Sequence, residues 1–465
     1  MAFAALALLA ACQPEIDKVA PKGAELNFTK YVAVGNSLTA GFADNGLDYY
    51  RQINSYPNFI AEQMRKLKPD LVFNQPLFEM GSTGTGYLTL NGISATGSPV
   101  TTFIPGATSE VTDSTATLAG KLPNYNEAAN ITTLNNLGVP GFRLSDINIG
   151  GIGAINPLGY NFYLERMLAD DDATRFLPYV SYVRRSNATF FTNWLGNNDV
   201  LGYATSGAAG SSLTPTATFA MHNSALIDSL MLTANAGLVA TIPYVSSTPF
   251  FTTIPYNPLP LSDAQAAQVN EPLRAGGYFA GLKLYNSTRP ADDQLDTSAF
   301  TVGQNAPLVQ DKDLPPPLNT VGRKLRPDEY LLLTTPTSEF ATGMGTQRPV
   351  PDRYVLTRAE IKEIKARTDE FNVAIRSKAN EKGLAIFEAG ALLETLATTS
   401  GISYDGIKVT TRFISGGVFS LDGVHLTPRG YAIVANGMIQ AINKKYGSTI
   451  PELNINLYPG VKFPN

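Results

Sequence analysis

The chain contains only two histidines, His222 and His425, and His425 lies in a setting suited to catalysis. It follows Asp422 by three residues and comes directly before Thr427-Pro428, a typical helix start. A loop of this spacing can fold the Asp422 carboxylate against one imidazole nitrogen and leave the other free to take a proton from a hydroxyl. A capping or salt-bridge role is the alternative for this pair. His222 lies within a predicted helix and is expected to be structural.

Ser37 is the serine best placed to receive such help. It follows the short apolar run Tyr31–Val34, which predicts a strand, and it is flanked by Gly35 and Gly41. In open parallel sheets, ligand sites lie beyond the carboxyl ends of the strands. Considered alone, however, Ser37 also fits the description of an ordinary turn serine.

A serine nucleophile creates an oxyanion that needs hydrogen-bond donors. Gly141, after the second predicted strand, could offer a backbone N–H. Asn198, in Gly196-Asn-Asn-Asp199 after the third predicted strand, could offer a side-chain amide. Each signal is weak alone, because glycine and asparagine are standard turn residues.

Strands and helices alternate along the whole chain. Strands are predicted over 31–34, 131–139, 188–195, 237–242 and 384–387, with 329–335 as a candidate for an additional strand. Helices are predicted over 56–68, 213–235, 263–270, 357–382 and from 428 to about 446. This alternation predicts an α/β fold with one mainly parallel sheet covered on both faces.

Two long stretches interrupt the alternation. Residues 81–130 are dominated by Gly, Ser, Thr and Asn and read as an irregular, lid-like insertion, whereas 244–328 are rich in Pro, Asn and Asp. We expect a single domain over 28–455 that carries both insertions, followed by a C-terminal tail over 456–465. A hydrophobic content of 44% supports a sizeable core. The net charge of −4, without a long basic run, argues against nucleic acid as a partner.

The N-terminus predicts export. Residues 2–11 are apolar but too short to span a bilayer, and they end in Leu9-Ala10-Ala11 before the only cysteine, Cys12. This segment resembles a bacterial lipobox, although no Lys or Arg precedes it, and an apolar run before an unrelated cysteine is the alternative. We therefore expect a signal peptide over 1–11, lipidation of Cys12 and a tether over 12–27. The protein would be anchored by this lipid alone at the outer membrane or cell surface of a Gram-negative bacterium.

Together, these segments resemble the SGNH (GDSL) hydrolase superfamily. The matching segments, in the family's order, are Gly35-Asn36-Ser37-Leu38, Gly141, Gly196-Asn197-Asn198-Asp199 and Asp422-Gly-Val-His425. The resemblance implies a flavodoxin-like three-layer α/β/α sandwich and chemistry without a cofactor or metal. Its combination with the lipobox looks like the exported lipoprotein members from Bacteroidetes.

Carried over to this chain, the resemblance implies that Ser37 is the nucleophile, His425 the base and Asp422 the residue that orients His425. The oxyanion hole would comprise the Ser37 N–H, Gly141 and Asn198. There are two departures from the family pattern. Asn36 replaces the aspartate of the Gly-Asp-Ser-Leu signature, and the two insertions are additions whose role the motifs do not describe.

The resulting expectation is a serine-dependent carboxylic ester hydrolase that acts on small-molecule or lipid acyl esters through an acyl-enzyme. Apolar residues of the first insertion could line an acyl pocket or simply anchor the insertion: Tyr87, Leu88, Leu90, Ile93 and Phe103. A carbohydrate O-acetyl esterase is the alternative within the same chemistry. A non-catalytic surface lipoprotein that binds a ligand is the alternative from another class.

Overall fold

The computed structural model describes residues 26–94, 99–106, 131–153, 160–168 and 175–464. The predicted signal peptide, Cys12 and nearly all of the predicted tether lie outside the described residues. So does the second half of the first insertion, over 107–130.

The described strands and helices are numbered along the chain. The strands are β1 (Tyr31–Gly35), β2 (Gly86–Ile93), β3 (Pro99–Pro105), β4 (Asn136–Gly138), β5 (Phe190–Trp194), β6 (Ala236–Ala240), β7 (Leu259–Leu261), β8 (Gly303–Asn305), β9 (Leu308–Val309), β10 (Arg323–Lys324), β11 (Tyr330–Leu331), β12 (Val355–Leu356), β13 (Ala385–Phe387), β14 (Ile402–Tyr404) and β15 (Ile407–Val409). The helices are α1 (Ser37–Ala40), α2 (Tyr49–Ile53), α3 (Tyr56–Met64), α4 (Phe162–Glu165), α5 (Tyr179–Arg185), α6 (Asn198–Thr205), α7 (Thr216–Leu230), α8 (Pro249–Thr252), α9 (Asp263–Ala275), α10 (Tyr278–Asn286), α11 (Leu318–Val321), α12 (Arg358–Glu381), α13 (Ala389–Ala397) and α14 (Pro428–Tyr446).

Within the described residues, the central sheet has five strands, in the order β13-β6-β5-β1-β4, and all neighbours run parallel. Numbered by their succession in the chain, these strands stand in the order 2-1-3-4-5, which is the flavodoxin-like arrangement. The predicted α/β fold is therefore confirmed. The strand order reverses between β1 and β5, the place where such sheets bind ligands.

Successive side chains of β1 point to opposite faces of the sheet, and helices cover both faces. Val32 and Val34 contribute to one apolar layer, in which helices α5, α7 and α12 pack on the sheet. Tyr31 and Ala33 point to the opposite face, which helices α3, α13 and α14 cover. A strand buried on both faces reads as a continuous apolar run, as Tyr31–Val34 does.

The two longest helices begin at strong caps. At the start of α14, the Thr427 hydroxyl accepts a hydrogen bond from the Gly430 N–H, and Pro428 fills the first turn. At the start of α12, Thr357 and Glu360 form a capping box. These signals explain why both predicted helices match the observed ones closely. They also fix α14 immediately after His425.

The first insertion contains regular structure, contrary to the expectation from its composition. Strands β2 and β3 form an antiparallel hairpin, with a register shift between Leu90 and Gly92. Apolar and polar residues alternate in β2 over Leu88–Asn91, but the many small residues around this stretch hid the period-2 signal. The sequence of β3, Pro-Val-Thr-Thr-Phe-Ile-Pro, does not alternate.

The second insertion is also more ordered than predicted. It contains α9 and a further helix, α10, and it has an apolar cluster of its own that includes Leu282, Phe300 and Leu318. The candidate for an additional strand over 329–335 is borne out only over Tyr330–Leu331. This short strand pairs antiparallel with β12, away from the central sheet.

Candidate active site

Ser37 lies at the carboxyl end of β1, where the chain turns into the short helix α1. The turn leaves no room for a side chain at Gly35, because a Cβ there would lie 1.9 Å from the Thr39 hydroxyl. Asn36 caps the helix by accepting a hydrogen bond from the Leu38 N–H. The glycine and the asparagine therefore hold Ser37 at the edge of the sheet, with only 6% of its surface exposed.

The structure brings together the three residues predicted to act as nucleophile, base and orienting acid. His425 Nε2 lies 2.8 Å from Ser37 Oγ, although the two residues are 388 positions apart in the chain. His425 Nδ1 lies 3.0 Å from Asp422 Oδ2. Both distances are within hydrogen-bond reach, and the relay can pass a proton from the serine to the imidazole.

Four hydrogen bonds fix the Asp422 carboxylate. Oδ1 accepts from the backbone N–H groups of Val424 and His425, and Oδ2 accepts from the Asn45 N–H and from His425 Nδ1. Burial alone would raise the pKa of Asp422, but the charge interaction with His425 and these hydrogen bonds outweigh burial and hold the pKa well below its usual range. Asp422 is therefore ionised at neutral pH and keeps the proton of His425 on Nδ1.

The Asn45 contact belongs to a tight turn that the sequence analysis missed. Asp44 and Asn45 both adopt the left-handed conformation, with φ of 52° and 60°, and Ala43 and Gly46 exchange two hydrogen bonds across them. This is the geometry of a type I′ turn, which favours Asp, Asn and Gly. The segment Asp44-Asn45-Gly46 carried that signal.

The same turn is bound to the segment before His425 at two further points. Asp44 Oδ1 accepts the Leu421 N–H at 3.0 Å, and the Asp44 N–H donates to the Ser420 hydroxyl at 2.9 Å. The half-buried Arg51 holds Asp44 by an ion pair of 2.7 Å. Burial raises the pKa of Asp44, and the cation of Arg51 opposes that rise. The turn thus connects the first segment of the fold to residues 420–425, the catalytic loop.

The second insertion supports the catalytic loop from another side. The Phe250 N–H donates to the Gly423 carbonyl at 2.9 Å, and the Leu333 N–H donates to the Phe250 carbonyl at 2.8 Å. Gly423 has a φ of 73°, and a Cβ there would lie 2.9 Å from the Phe250 nitrogen. A side chain at Gly423 would therefore be strained and would push this support away.

Phe42 lies against the base itself. Its ring centre is 4.7 Å from that of His425, and Tyr163 contacts Phe42 edge-on at 6.2 Å. Apolar packing of this kind restricts the rotation of the imidazole between its two partners. Sequence reasoning missed both rings, since a phenylalanine in a turn and a tyrosine in a short helix carry no signal of their own.

Gly141 and Asn198 follow β4 and β5, the strands on either side of β1. Gly141 has a φ of 77°, which explains the glycine. The Asn198 amide donates to the Phe142 carbonyl at 2.9 Å, which leaves its second N–H hydrogen for another acceptor. The Asn161 amide donates to the Pro140 carbonyl at 2.8 Å and so supports the Gly141 turn from outside.

Asp199, the acid of the Gly196-Asn-Asn-Asp199 segment, has a structural role. Its buried carboxylate accepts the N–H groups of Leu144 and Ser145 and the hydroxyl of Thr214. Burial raises the pKa of Asp199, while these hydrogen bonds lower it in part. These contacts hold the segment after Gly141 against the start of α6. They therefore fix the position of Gly141 relative to Asn198.

His222 lies in α7, where its ring nitrogen Nδ1 is 3.1 Å from the Leu144 carbonyl. The side chain is buried among the packing of this helix. This is the structural role expected for His222.

Three apolar residues of the first insertion, Tyr87, Leu88 and Leu90, line a groove of about 440 Å³ beside Asp44. Leu421 and Leu426, the neighbours of Asp422 and His425, also line this groove, but Ser37 and His425 do not. Ile93 and Phe103 are each 47% exposed.

Within the described residues, no group of three or more His, Cys, Asp or Glu side chains is placed to hold a metal ion. In that same part of the chain, none of the helices is long and apolar enough to cross a membrane.

A Ser–His–Asp relay at the edge of a flavodoxin-like sheet defines the class of SGNH hydrolases. Residues 31–438 match the model of the GDSL-like lipase/acylhydrolase family, and the chain belongs to this family. It is thus an ester-hydrolysing enzyme. Among solved structures, it is similar to LAE5, an alpha/beta hydrolase enzyme from the metagenome of Lake Arreo, Spain. That match has 8% identity and a TM-score of 0.36 over 91% of this chain and 96% of the other. No curated protein matches the chain.

Proposed function

We propose that the protein hydrolyses carboxylic acyl esters through a covalent acyl-enzyme on Ser37. The observation that carries the proposal is the continuous relay from Ser37 Oγ to His425 Nε2 and from His425 Nδ1 to Asp422 Oδ2, at 2.8 and 3.0 Å. The relay supplies both the base that serine needs and the carboxylate that stabilises the resulting imidazolium.

In the acylation half-reaction, Ser37 Oγ attacks the ester carbonyl carbon while His425 Nε2 takes the hydroxyl proton. The carbonyl oxygen becomes an oxyanion, which the Ser37 N–H, the Gly141 N–H and the second amide hydrogen of Asn198 stabilise. As the tetrahedral intermediate collapses, the bond to the alcohol oxygen breaks and His425 returns the proton to that oxygen. Water then repeats these steps on the acyl-enzyme and releases the acid.

Labelling with a fluorophosphonate probe tests this assignment directly. The wild-type protein should label covalently on Ser37, and Ser37→Ala should not label. Ser287→Ala, at an exposed serine of the second insertion, is the matched control and should label like wild type. If the wild-type protein does not label, the result favours the alternative of a non-catalytic lipoprotein that binds a ligand. If Ser37→Ala labels fully, the nucleophile is a different residue.

A carbohydrate O-acetyl esterase is the second candidate. It uses the same acyl transfer but takes a sugar hydroxyl as the alcohol. The observation that favours it is the placement of Tyr87, Leu88 and Leu90, which were candidates for lining an acyl pocket and line a groove that Ser37 does not line. Turnover of acetylated oligosaccharides, compared with aliphatic acetate esters, distinguishes the two candidates by the alcohol that each prefers.

We also propose that the protein is exported and anchored through a lipid on Cys12. The support is the apolar run that ends in Leu9-Ala10-Ala11-Cys12. Expression with an alkyne-tagged fatty acid in a Gram-negative host should label the wild-type chain in the membrane fraction. Cys12→Ser should lose the label, and a labelled Cys12→Ser would contradict the assignment.

A further inference from the structure

A second, smaller cavity lies near the candidate active site and shares one lining residue, Leu426, with the groove of the first insertion. It has a volume of about 70 Å³ and lies among the ends of β5, β6 and β13 and the helices α13 and α14. Leu38 and Val424 line it, and they are the direct chain neighbours of Ser37 and His425. The cavity therefore lies next to the two chain segments that carry Ser37 and His425, whose own side chains are not part of its lining.

The lining of this cavity is apolar almost throughout. Trp194, Phe387, Leu392 and Leu393 form much of its wall. The indole N–H of Trp194 is already donated to the Thr241 carbonyl at 3.1 Å, so the ring presents carbon atoms to the cavity. A wall of this composition favours a hydrocarbon group over a sugar or a charged alcohol.

The size of the cavity limits what it can hold. An apolar cavity of about 150 Å³ accommodates benzene. A cavity of about 70 Å³ is roughly half that size and therefore has room for about three carbon atoms beyond the carbonyl carbon.

We propose that this cavity is the acyl-binding site and that it selects short acyl groups, from acetyl to butyryl. The inference rests on the proposed function, because it assigns the acyl half of the same ester. The acyl chain points towards α13, and the alcohol leaves on the open side of Ser37. Among the described residues of the two insertions, Thr248 alone lines this pocket, so substrate length is set mainly by the helices of the core fold.

The test is a series of p-nitrophenyl esters from acetate to octanoate. For wild type, kcat/KM should rise by about fourfold for each added methylene up to butyrate, the gain expected from burying one CH₂ group. It should then fall from hexanoate onwards. A profile that keeps rising to octanoate would overturn the proposal.

Two matched variants locate the site. Leu393→Ala deepens the proposed pocket and should move the best substrate two or three carbons longer. Leu90→Ala, at a similarly buried leucine in the groove of the first insertion, should leave the profile unchanged. Leu392, which is less buried, provides a second pocket variant, Leu392→Ala, if Leu393→Ala does not fold. A shift caused by Leu90→Ala, or by neither pocket variant, would assign the acyl chain elsewhere.

Ratios between esters, measured on one preparation, do not depend on the fraction of folded enzyme. Failure of the pocket proposal would leave fluorophosphonate labelling of Ser37 intact while the length profile disagreed. Failure of the proposed function would remove labelling and turnover for every ester. The two outcomes are therefore distinguishable.

Discussion

Replacing Asp422 by asparagine keeps the side-chain volume but places an N–H₂ group where the carboxylate has an acceptor. All four of its partners are donors: the Val424, His425 and Asn45 N–H groups and His425 Nδ1. Whichever way the amide is turned, its N–H₂ group faces two donors. In one orientation the hydrogen bonds from the Val424 and His425 N–H groups are lost; in the other, the Asn45 hydrogen bond is lost and Nδ1 of His425 must become an acceptor. If the amide nitrogen faces His425, the imidazole proton moves to Nε2, and His425 no longer accepts the proton of Ser37.

The expected loss is about 10³–10⁴ in kcat, the size seen when this role is removed from other serine hydrolases. Initial rates with a short-chain ester across pH 5–9 are the assay. His222→Ala is the control, because it removes the other histidine and should leave turnover nearly unchanged. An Asp422→Asn enzyme within tenfold of wild type would refute the assignment of Asp422 as the orienting acid.

The same substitution should also change how the stability of the folded protein depends on pH. The folded pKa of Asp422 is lowered relative to its unfolded value, which is about 3.9. Its carboxylate therefore contributes stability above about pH 4, and this contribution is lost as the pH falls towards the folded pKa. Asp422→Asn should have a lower Tm than wild type at pH 7, and the difference should shrink below pH 4. A constant difference would mean that ionisation is not its source.

Three further substitutions test the parts around the relay. Asn198→Ala removes one oxyanion donor and should lower kcat by about 10²–10³; an unchanged kcat would exclude Asn198 from the oxyanion hole. Asn36→Asp puts a negative charge beside Ser37, which favours protonated His425, so the acidic limb of the kcat/KM profile should move to higher pH. Movement to lower pH would contradict this. Arg51→Ala leaves Asp44 buried without its cation and should reduce kcat by about ten- to a hundredfold through misplacement of the catalytic loop. Arg51→Lys should retain more activity, and equal losses in both would argue against a role for the charge.

The central sheet and the helices over it could be read from the sequence because local signals agree there. Apolar runs, which are typical of strands buried on both faces, predicted β1, β5 and β6. A Thr–Pro pair predicted the start of α14, and a capping box predicted the start of α12. The edge strand β4 was predicted too long. Residues 131–133 form a 3-10 turn instead, and only Asn136–Gly138 pair with β1.

The insertions were harder to predict because tertiary contacts decide their structure. The apolar run after Glu329 looks like a sheet strand, but Glu329 is buried in an ion pair with Arg323 at 2.6 Å. That pair ties the run to the second insertion, where Leu331 packs in a cluster with Leu325 and Val355. The strand that pairs with this run, β12, lies far along the chain, so no local pattern reveals it.

In the site, the residues with a distinctive chemistry were predicted and those that hold them in place were not. Scarcity singled out His425, and spacing singled out Asp422. Asn45, however, acts through its backbone N–H, which every residue except proline possesses. Arg51 and Phe42 act through neighbours, and their types alone do not mark such roles.

The hydrogen bond between Ser37 and His425 joins positions 388 residues apart. Closing a loop of that length costs roughly 5 kcal/mol of chain entropy, so the bond forms only when the intervening sheet is already assembled. During synthesis, the nucleophile emerges early and has no base until α14 and the residues before it have been made. Catalytic competence is therefore a late event in the maturation of the chain. Ester turnover can serve as a sensitive indicator that both ends of the polypeptide have reached their native places.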